Sequence, residues 1–462
     1  QQQRAKADAQ AKKTGFVDTS VWRAVLEQGG SEFTGYQEVA RESKVAALVG
    51  PDGVVDAAGE GDEVELVLDA TPFYAEGGGQ QPDFGRITIN AAGHDAELEV
   101  VDVQTPVPGV IAHKVKVLRG EVRAGDPAFA LVDVGRRASV SRSHSATHLL
   151  HSALRRTLGE QAAQAGSLNA PGRLRFDFHN PSAVAPSVLA DVEDEINEVL
   201  LHDLEVRAFV TNQEEARRLG AIAMFGEKYG ERVRIVEIGE YSRELCGGTH
   251  VARSSVIGMV KLLSEASIGS GVRRVEALVG LDAFRYLARE HVLVQQLAGD
   301  LKAPPDQLPE RIAATLDRLR SAEKELERLR AAAVLASAGT LAEGAEMVGA
   351  TRVVSAQAPS GVAAGELRSL ALDVRGRLPQ SEAAVVVVAA PGEKGVSFVA
   401  AVNDAGQSGG LSANDVVRAF APVLGARGGG KPDLAQGAGG DAGKLPEAFA
   451  AVRRYVAERG TG

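Results

Sequence analysis

Between residues 45 and 134 short β-type runs alternate with turn formers, and that rhythm sets what this stretch can fold into. Six runs, 45–48, 64–68, 86–89, 96–101, 111–117 and 128–134, are separated by Gly, Pro, Asn and Asp. Runs this short and regularly punctuated suit a small β-barrel or sandwich. At Ser139 the texture switches. Residues 141–158 carry helical periodicity and stop at Gly159, and 186–202 place Val188, Leu189, Val192, Ile196, Val199 and Leu200 on one face. Strand-like runs at 174–178, 233–238 and 256–263 interleave with these helices, which is an α+β pattern.

The remaining segments complete an α+β multidomain reading. Residues 1–45 are polar and helix-like, and the opening QQQRAKADAQAKK reads as a solvated helix cut from something longer. A β-barrel at 46–137, an α+β core at 138–282, a helical linker at 283–349 and a C-terminal α/β domain at 350–462 follow. In the linker, Ile312, Leu316, Leu319 and Leu326 keep heptad-like steps for about two heptads. Such a stripe fits either an amphipathic helix lying on a neighbouring domain or a self-association helix that, with the C-terminal domain, would form a homodimer.

Composition narrows the class. With 44% apolar and 24% charged residues, the 462-residue chain has the make-up of a folded protein. Its longest apolar run, 383–390, is far shorter than the ~20 residues of a membrane span, so no membrane partner is expected. A single cysteine excludes an intrachain disulfide and a CxxC ribbon, and makes the cytoplasm the expected location. The net charge of −10 argues against a surface coated in positive charge, and DNA is not an expected partner. The charge is uneven. Residues 351–462 hold 12 Lys+Arg against 10 Asp+Glu, a net +2, so the remainder carries −12. A local grip on phosphates sits more easily in the C-terminal part.

Two short motifs carry chemistry. His144 and His148 are four apart in a predicted helix, which puts both imidazoles on one face. Cys246 and His250 are also four apart, but around Gly247-Gly248, so they belong to a tight loop. Together they supply three nitrogens and one sulfur, the donors that tetrahedral Zn²⁺ prefers. Each pair alone more often marks ordinary core and surface residues; the chain's only cysteine standing at ligand spacing favours the metal. His151 lies on roughly the same helix face and reads as support behind the site or as core.

HSATHLLHSALR (144–155) with CGGTH (246–250) resembles the editing domain of alanyl-tRNA synthetase, which is shared with freestanding alanyl-tRNA editing proteins. LDATPFYAEGGGQ (68–80), QAGS (164–167), RLRFDF (173–178), FGEKYGERVRIVEIG (225–239), SEASIGSGVRRVEALVG (264–280) and GARGGGKPDLAQGAGG (425–440) are similar to the same family. Two departures are Pro82, where the family usually has Gly, and Ala165, where it usually has Lys. The resemblance covers nearly the whole chain and implies the carboxy-terminal half of the synthetase. The adenylate-forming domain, which uses ATP and Mg²⁺ to ligate alanine, would precede Gln1.

The resemblance implies hydrolysis of the ester of tRNA(Ala) mischarged with Ser or Gly. The physical need is independent of it: a pocket built for alanine discriminates only ~10²-fold against an added hydroxyl, so a second, hydrolytic site must supply the rest. It also implies one zinc on His144, His148, Cys246 and His250, with Thr71, Gln80 and Gln164 positioning the substrate. Four protein ligands match a closed structural site, whereas a catalytic zinc keeps a position open, so both roles stand.

Glycine-rich segments are the remaining candidates. Gly77, Gly78 and Gly79 form either a plain turn or a backbone surface against the adenosine end of the tRNA. Residues 425–431 match G-x-x-x-x-G-K, but Pro432 occupies the Ser/Thr position, which argues against a nucleotide loop. The resemblance implies instead a tRNA-contacting loop of Arg427, Gly428, Gly429, Gly430 and Lys431. Arg273 and Arg274 are either RNA contacts or ion-paired surface residues. A non-catalytic tRNA-binding and dimerising module with a structural zinc is the alternative to an editing hydrolase.

Overall fold

The computed structural model describes residues 19–223, 230–393 and 395–459. The opening helix expected before Thr19 and residues 225–229 of the FGEKYG segment lie outside the described residues. The chain divides into two compact units, Gln1–Val294 and Gln295–Gly462.

In the first unit, helix α1 (Thr19–Glu27) is followed by six barrel strands: β1 (Ala40–Gly50), β2 (Glu63–Leu68), β3 (Gly85–Ala91), β4 (His94–Val107), β5 (Val110–Arg123) and β6 (Pro127–Val132). Their order is β6-β3-β4-β5-β2-β1, and β6 pairs back onto β1, closing an antiparallel ring. Closure removes the open strand edges that would otherwise invite pairing with other chains. Leu66, Leu68, Ile87, Leu98, Val115 and Ala130 alternate inward and fill the core. On the outside, α1 packs Trp22 and Val25 against Val67, Val110 and Ala112.

Helix α2 (Val134–Leu158) follows directly, capped by Asp133, whose side chain accepts from the backbone N–H of Arg136. Strands β7 (Gln164–Ala170) and β8 (Arg173–His179), helix α3 (Pro186–Leu201), and strands β9 (Val206–Asn212), β10 (Arg232–Ile238), β11 (Ser242–Leu245), β12 (Val260–Gly269) and β13 (Val272–Val279) complete the α+β core. One sheet runs β7-β8-β13-β12 and the other β9-β10-β11. Leu149, Leu150, Ala153 and Leu154 of α2 pack with Phe176, Ile196 and Val275.

The expected boundaries at 45/46, 137/138 and 282/283 all need correction. The first falls inside β1, because the polar run Arg41-Glu42-Ser43-Lys44 is the partly solvated start of a barrel strand rather than the end of a helical segment. The second falls inside α2, whose first turn, before Val140, lacks the apolar periodicity by which helices are read. The third falls inside α4 (Leu281–Leu301).

The second unit contains α5 (Leu308–Ala336) and a six-stranded sheet. Its strands are β14 (Glu346–Val348), β15 (Thr351–Gln357), β16 (Ala383–Gly392), β17 (Gly395–Val402), β18 (Arg427–Gly430) and β19 (Leu434–Gly439), in the order β14-β15-β16-β17-β19-β18. Helix α6 (Ala364–Arg377) covers one face, and α7 (Ala413–Leu424) with α8 (Leu445–Arg459) covers the other. The unbroken apolar run of β16 follows from burial on both faces: Val385 and Val387 face α7 and α8, while Val386 and Val388 face α6. On α5, Ile312, Leu316, Leu319, Leu326 and Leu329 are all exposed. Among the described residues, no helix is long and apolar enough to cross a membrane.

Candidate metal centre

The two motifs meet. His144 and His148 project from α2, and the loop after β11 wraps back so that Cys246 and His250 face them; the four donor atoms lie within 4.8 Å of one another. Cys246 Sγ is 3.4 Å from His144 Nε2 and 3.3 Å from His250 Nε2. The second glycine of CGGTH has a steric reason. A Cβ on Gly248 would lie 2.2 Å from the His144 ring and 2.8 Å from Gln80 Oε1. No side chain fits there, so the loop can close on the imidazole only at a glycine.

Each imidazole is held from behind at Nδ1. His144 Nδ1 donates to Gln80 Oε1 at 2.9 Å, and that oxygen also accepts from the Thr249 N–H at 2.8 Å. Gln80 Nε2 donates to Thr249 Oγ1, which itself touches Ser141 Oγ. His250 Nδ1 contacts Ser145 Oγ at 3.1 Å. His148 Nδ1 lies 2.9 Å from Glu244 Oε2, while Glu244 Oε1 takes His151 Nδ1 at 3.0 Å. The contact to His148 is close but lacks hydrogen-bond alignment, and His148 Nε2 is a buried nitrogen with no hydrogen-bond partner among the described residues. Fixing Nδ1 leaves Nε2 of each ring for a common cation, which is how outer partners orient histidine ligands.

The charges agree with that use. Burial alone would raise the Cys246 thiol, but its interactions with His144 and His250 outweigh this and hold it well below its ordinary value. A thiolate is the form that ligates metal. Burial opposes a charge on His148, yet the Glu244 carboxylate and then Cys246 push it up to about 10. Burial likewise opposes the Glu244 charge, and His148 and His151 hold that carboxyl well below the usual range. His250 is driven down to about 3, mainly by burial. A cation would bind His148 only as neutral imidazole, so binding releases a proton.

The other expected residues part company. The glycine turn at 77–80 packs on β7: Asn169 N donates to Gly79 O, and Gln81 N donates to Asn169 O. Thr147 of α2 donates to Asn169 Oδ1, which ties the turn, β7 and the histidine helix together. Gln80 is therefore beside the cluster, with both its amide oxygen and its amide nitrogen already bonded. Gln164, on β7, donates through Nε2 to Ser167 Oγ and is half-buried. Thr71 turns away into the barrel. His113 Nδ1 must donate to the Leu66 carbonyl, so His113 Nε2 accepts the Thr71 hydroxyl proton at 2.7 Å. Arg273 is paired with Glu265, and Arg274 with Asp177. Arg427 and Lys431 are exposed at the two ends of the β18 turn, with no ion pair among the described residues.

Sequence reasoning missed Glu244, Ser145 and Asn169. Glu244 stands two residues before Cys246 on a strand, and a carboxylate beside a ligand motif is the signal that was available. A cleft of about 430 Å³ opens beside the cluster, lined by Tyr36, Arg137, Ser141, Arg234, Thr249 and His250 among others.

Residues 1–136 match the family described as tRNA synthetases class II (A). Residues 233–276 match the threonyl and alanyl tRNA synthetase second additional domain, and 350–458 the DHHA1 domain. The chain is 60% identical over 461 residues to the alanine–tRNA ligase of Frankia casuarinae, spanning 99% of this chain and 52% of that protein. It is 58% identical over 459 residues to that of Salinispora tropica, spanning 99% and 51%. A solved C-Ala domain from Aquifex aeolicus alanyl-tRNA synthetase is 32% identical and covers 24% of this chain and 97% of that one, with a TM-score of 0.22. The chain spans about half the length of the curated relatives it matches.

Proposed function

Because this chain belongs to the alanine–tRNA ligase family and fits its C-terminal half, we propose that its first unit edits mischarged tRNA(Ala) by hydrolysing the seryl or glycyl ester. The observation that carries the reading is the His144–His148–Cys246–His250 cluster, two histidines buried and the loop pair half-buried, at the edge of a cleft. The donor set fits zinc. A tetrahedral ion bonded at ~2.1 Å to nitrogen and ~2.3 Å to sulfur holds such atoms about 3.6 Å apart, close to the 3.4 and 3.3 Å spacings around Cys246. When bound, zinc would supply a positive charge to polarise the ester or orient the ribose beside it.

The chain's own residues do the rest. Gln80, Ser145 and Glu244 fix the three imidazoles. Gln164 has an amide oxygen without a partner among the described residues, so it can accept from a seryl hydroxyl that alanine lacks. Thr71, tied to His113, shapes the barrel wall rather than touching substrate. Gly77, Gly78 and Gly79 expose backbone toward the adenosine end. Arg427 and Lys431, flanking Gly428, Gly429 and Gly430, hold tRNA phosphates. The exposed leucine stripe of α5 pairs with a second copy in a homodimer. ATP and Mg²⁺ belong to the aminoacylation domain that completes the longer relatives.

A second reading is favoured by one observation: four protein donors form a closed set, which suits a structural zinc in a tRNA-binding module without catalysis. Radiolabelled Ser-tRNA(Ala) and Ala-tRNA(Ala) separate the two. Rapid loss of the seryl ester with the alanyl ester preserved is expected; a seryl ester stable at micromolar protein leaves only the binding module.

A further inference from the structure

Among the described arginines of the α+β core, several are spent on carboxylates, whereas Arg234 stands against the metal-ligand loop. Arg207 and Arg243 share Glu237, Arg253 holds Asp203, Arg273 holds Glu265 and Arg274 holds Asp177. Arg234, half-buried on β10, has no carboxylate within ion-pair distance among the described residues. Its Nη1 donates to the carbonyls of Cys246 at 2.8 Å and Gly248 at 3.0 Å. Its guanidinium lies 4.0 Å above the Tyr36 ring, and Tyr36 in turn donates to Gly247 O. Nε and Nη2 make no hydrogen bond to a described residue, so three of the five N–H donors of the fork remain unused. A partly desolvated, uncompensated cation is costly unless a ligand supplies the anion.

Arg234 lines the same cleft as Thr249 and His250. In an aminoacyl-RNA the carboxyl group is consumed in the ester, so the anion nearest the scissile bond is the phosphodiester one nucleoside away. A planar guanidinium matches a phosphate through two parallel hydrogen bonds. The half-exposed Tyr36 ring beside it offers a face on which a base can stack. We propose that Arg234 is the phosphate subsite of this cleft, binding the last phosphodiester of an RNA 3′ end while its Nη1 braces the metal-ligand loop. This rests on the editing reading and names a positioning residue for it.

The test compares the wild-type full chain, Arg234→Met and Arg234→Lys on Ser-tRNA(Ala) and on 3′-O-seryl-adenosine, which has no phosphate. A charged hydrogen-bonded contact of this kind is worth about tenfold or more. R234M should raise KM for Ser-tRNA(Ala) about tenfold with kcat changed less than about twofold, and lower the kcat/KM ratio of tRNA to seryl-adenosine by the same factor. R234K should recover part of the loss. The slope of log KM against log salt should fall by about 0.7, one single-strand phosphate. Equal losses on both esters, measured per bound zinc, would reduce Arg234 to a brace for the loop and overturn the proposal. If the wild type hydrolyses neither ester, the editing reading fails by itself. The subsite is then judged by binding of a fluorescein-labelled hexanucleotide ending in CCA: weaker binding to R234M upholds it, and equal affinity overturns it.

Discussion

Two glycine-rich segments, 246–250 and 427–440, look alike in composition and do opposite things. In the first, Gly248 makes room for a side chain, and the loop closes inward over His144. In the second, the glycines make room mostly for backbone. A Cβ on Gly428 would lie 2.8 Å from Gln436 O and one on Gly430 2.5 Å from Leu434 O, while one on Gly437 would meet both the Phe398 ring at 2.3 Å and Arg427 O at 2.4 Å. The β18–β19 ribbon is thus nearly bare, with Arg427 and Lys431 facing solvent. Glycine marks a close approach in both places; what approaches decides whether the segment buries donors or displays cations. All nine histidines lie before Gln295, so imidazole chemistry is confined to the unit with the inward-facing loop.

The largest expected effect tests the inward half. Cys246→Ala should weaken zinc binding by more than the ~10–100-fold that loss of an outer partner costs, and Gly248→Ala should fall within that range by displacing His144. Competition with a chromophoric chelator measures both. Unchanged affinity in Gly248→Ala would mean that the glycine is not needed for closure, and the contrast between the segments would dissolve.

Next comes the outward half. Arg427→Ala with Lys431→Ala should lower tRNA affinity about tenfold and reduce the salt slope by about 1 per lost phosphate contact, leaving metal content intact. An unchanged salt slope would remove the hairpin from the tRNA grip.

The smallest effect concerns acid. Burial drives His113 down to about 4, against an ordinary 6.5. The fold therefore gains from neutral His113 above pH 6.5 and loses that gain as the pH falls toward 4. Between pH 7 and 5.5 the loss amounts to about 1 kcal/mol. Trp22, the chain's one tryptophan, packs on the barrel near this strand and reports urea unfolding there. His113→Gln should flatten this pH dependence. An identical acid limb in both proteins would exclude His113 as its source.

The four donors were legible because their spacing is set locally, by a helix turn and by a tight loop. The barrel was legible from its punctuated runs, and the α/β unit from the long apolar strand at 383–390. What lay beyond the sequence depends on distant partners. Arg273 and Arg274 read as possible RNA contacts until Glu265 and Asp177 appear across the strands. Thr71 sits in a motif beside a glycine turn, yet its hydroxyl answers to a histidine 42 residues away. Glu244, which the sequence did not single out, is 3% exposed and held by two imidazoles, one of them 93 residues away. The start of β1 was hidden because Arg41-Glu42-Ser43-Lys44 is polar although β-paired to β6.

The most direct measurement is single-turnover hydrolysis of Ser-tRNA(Ala) and Ala-tRNA(Ala) by the zinc-loaded chain, repeated after chelation and after zinc is restored. Seryl ester cleaved much faster than alanyl ester, lost on chelation and recovered with zinc, is the expected result. A seryl ester that survives the fully loaded protein would contradict the account.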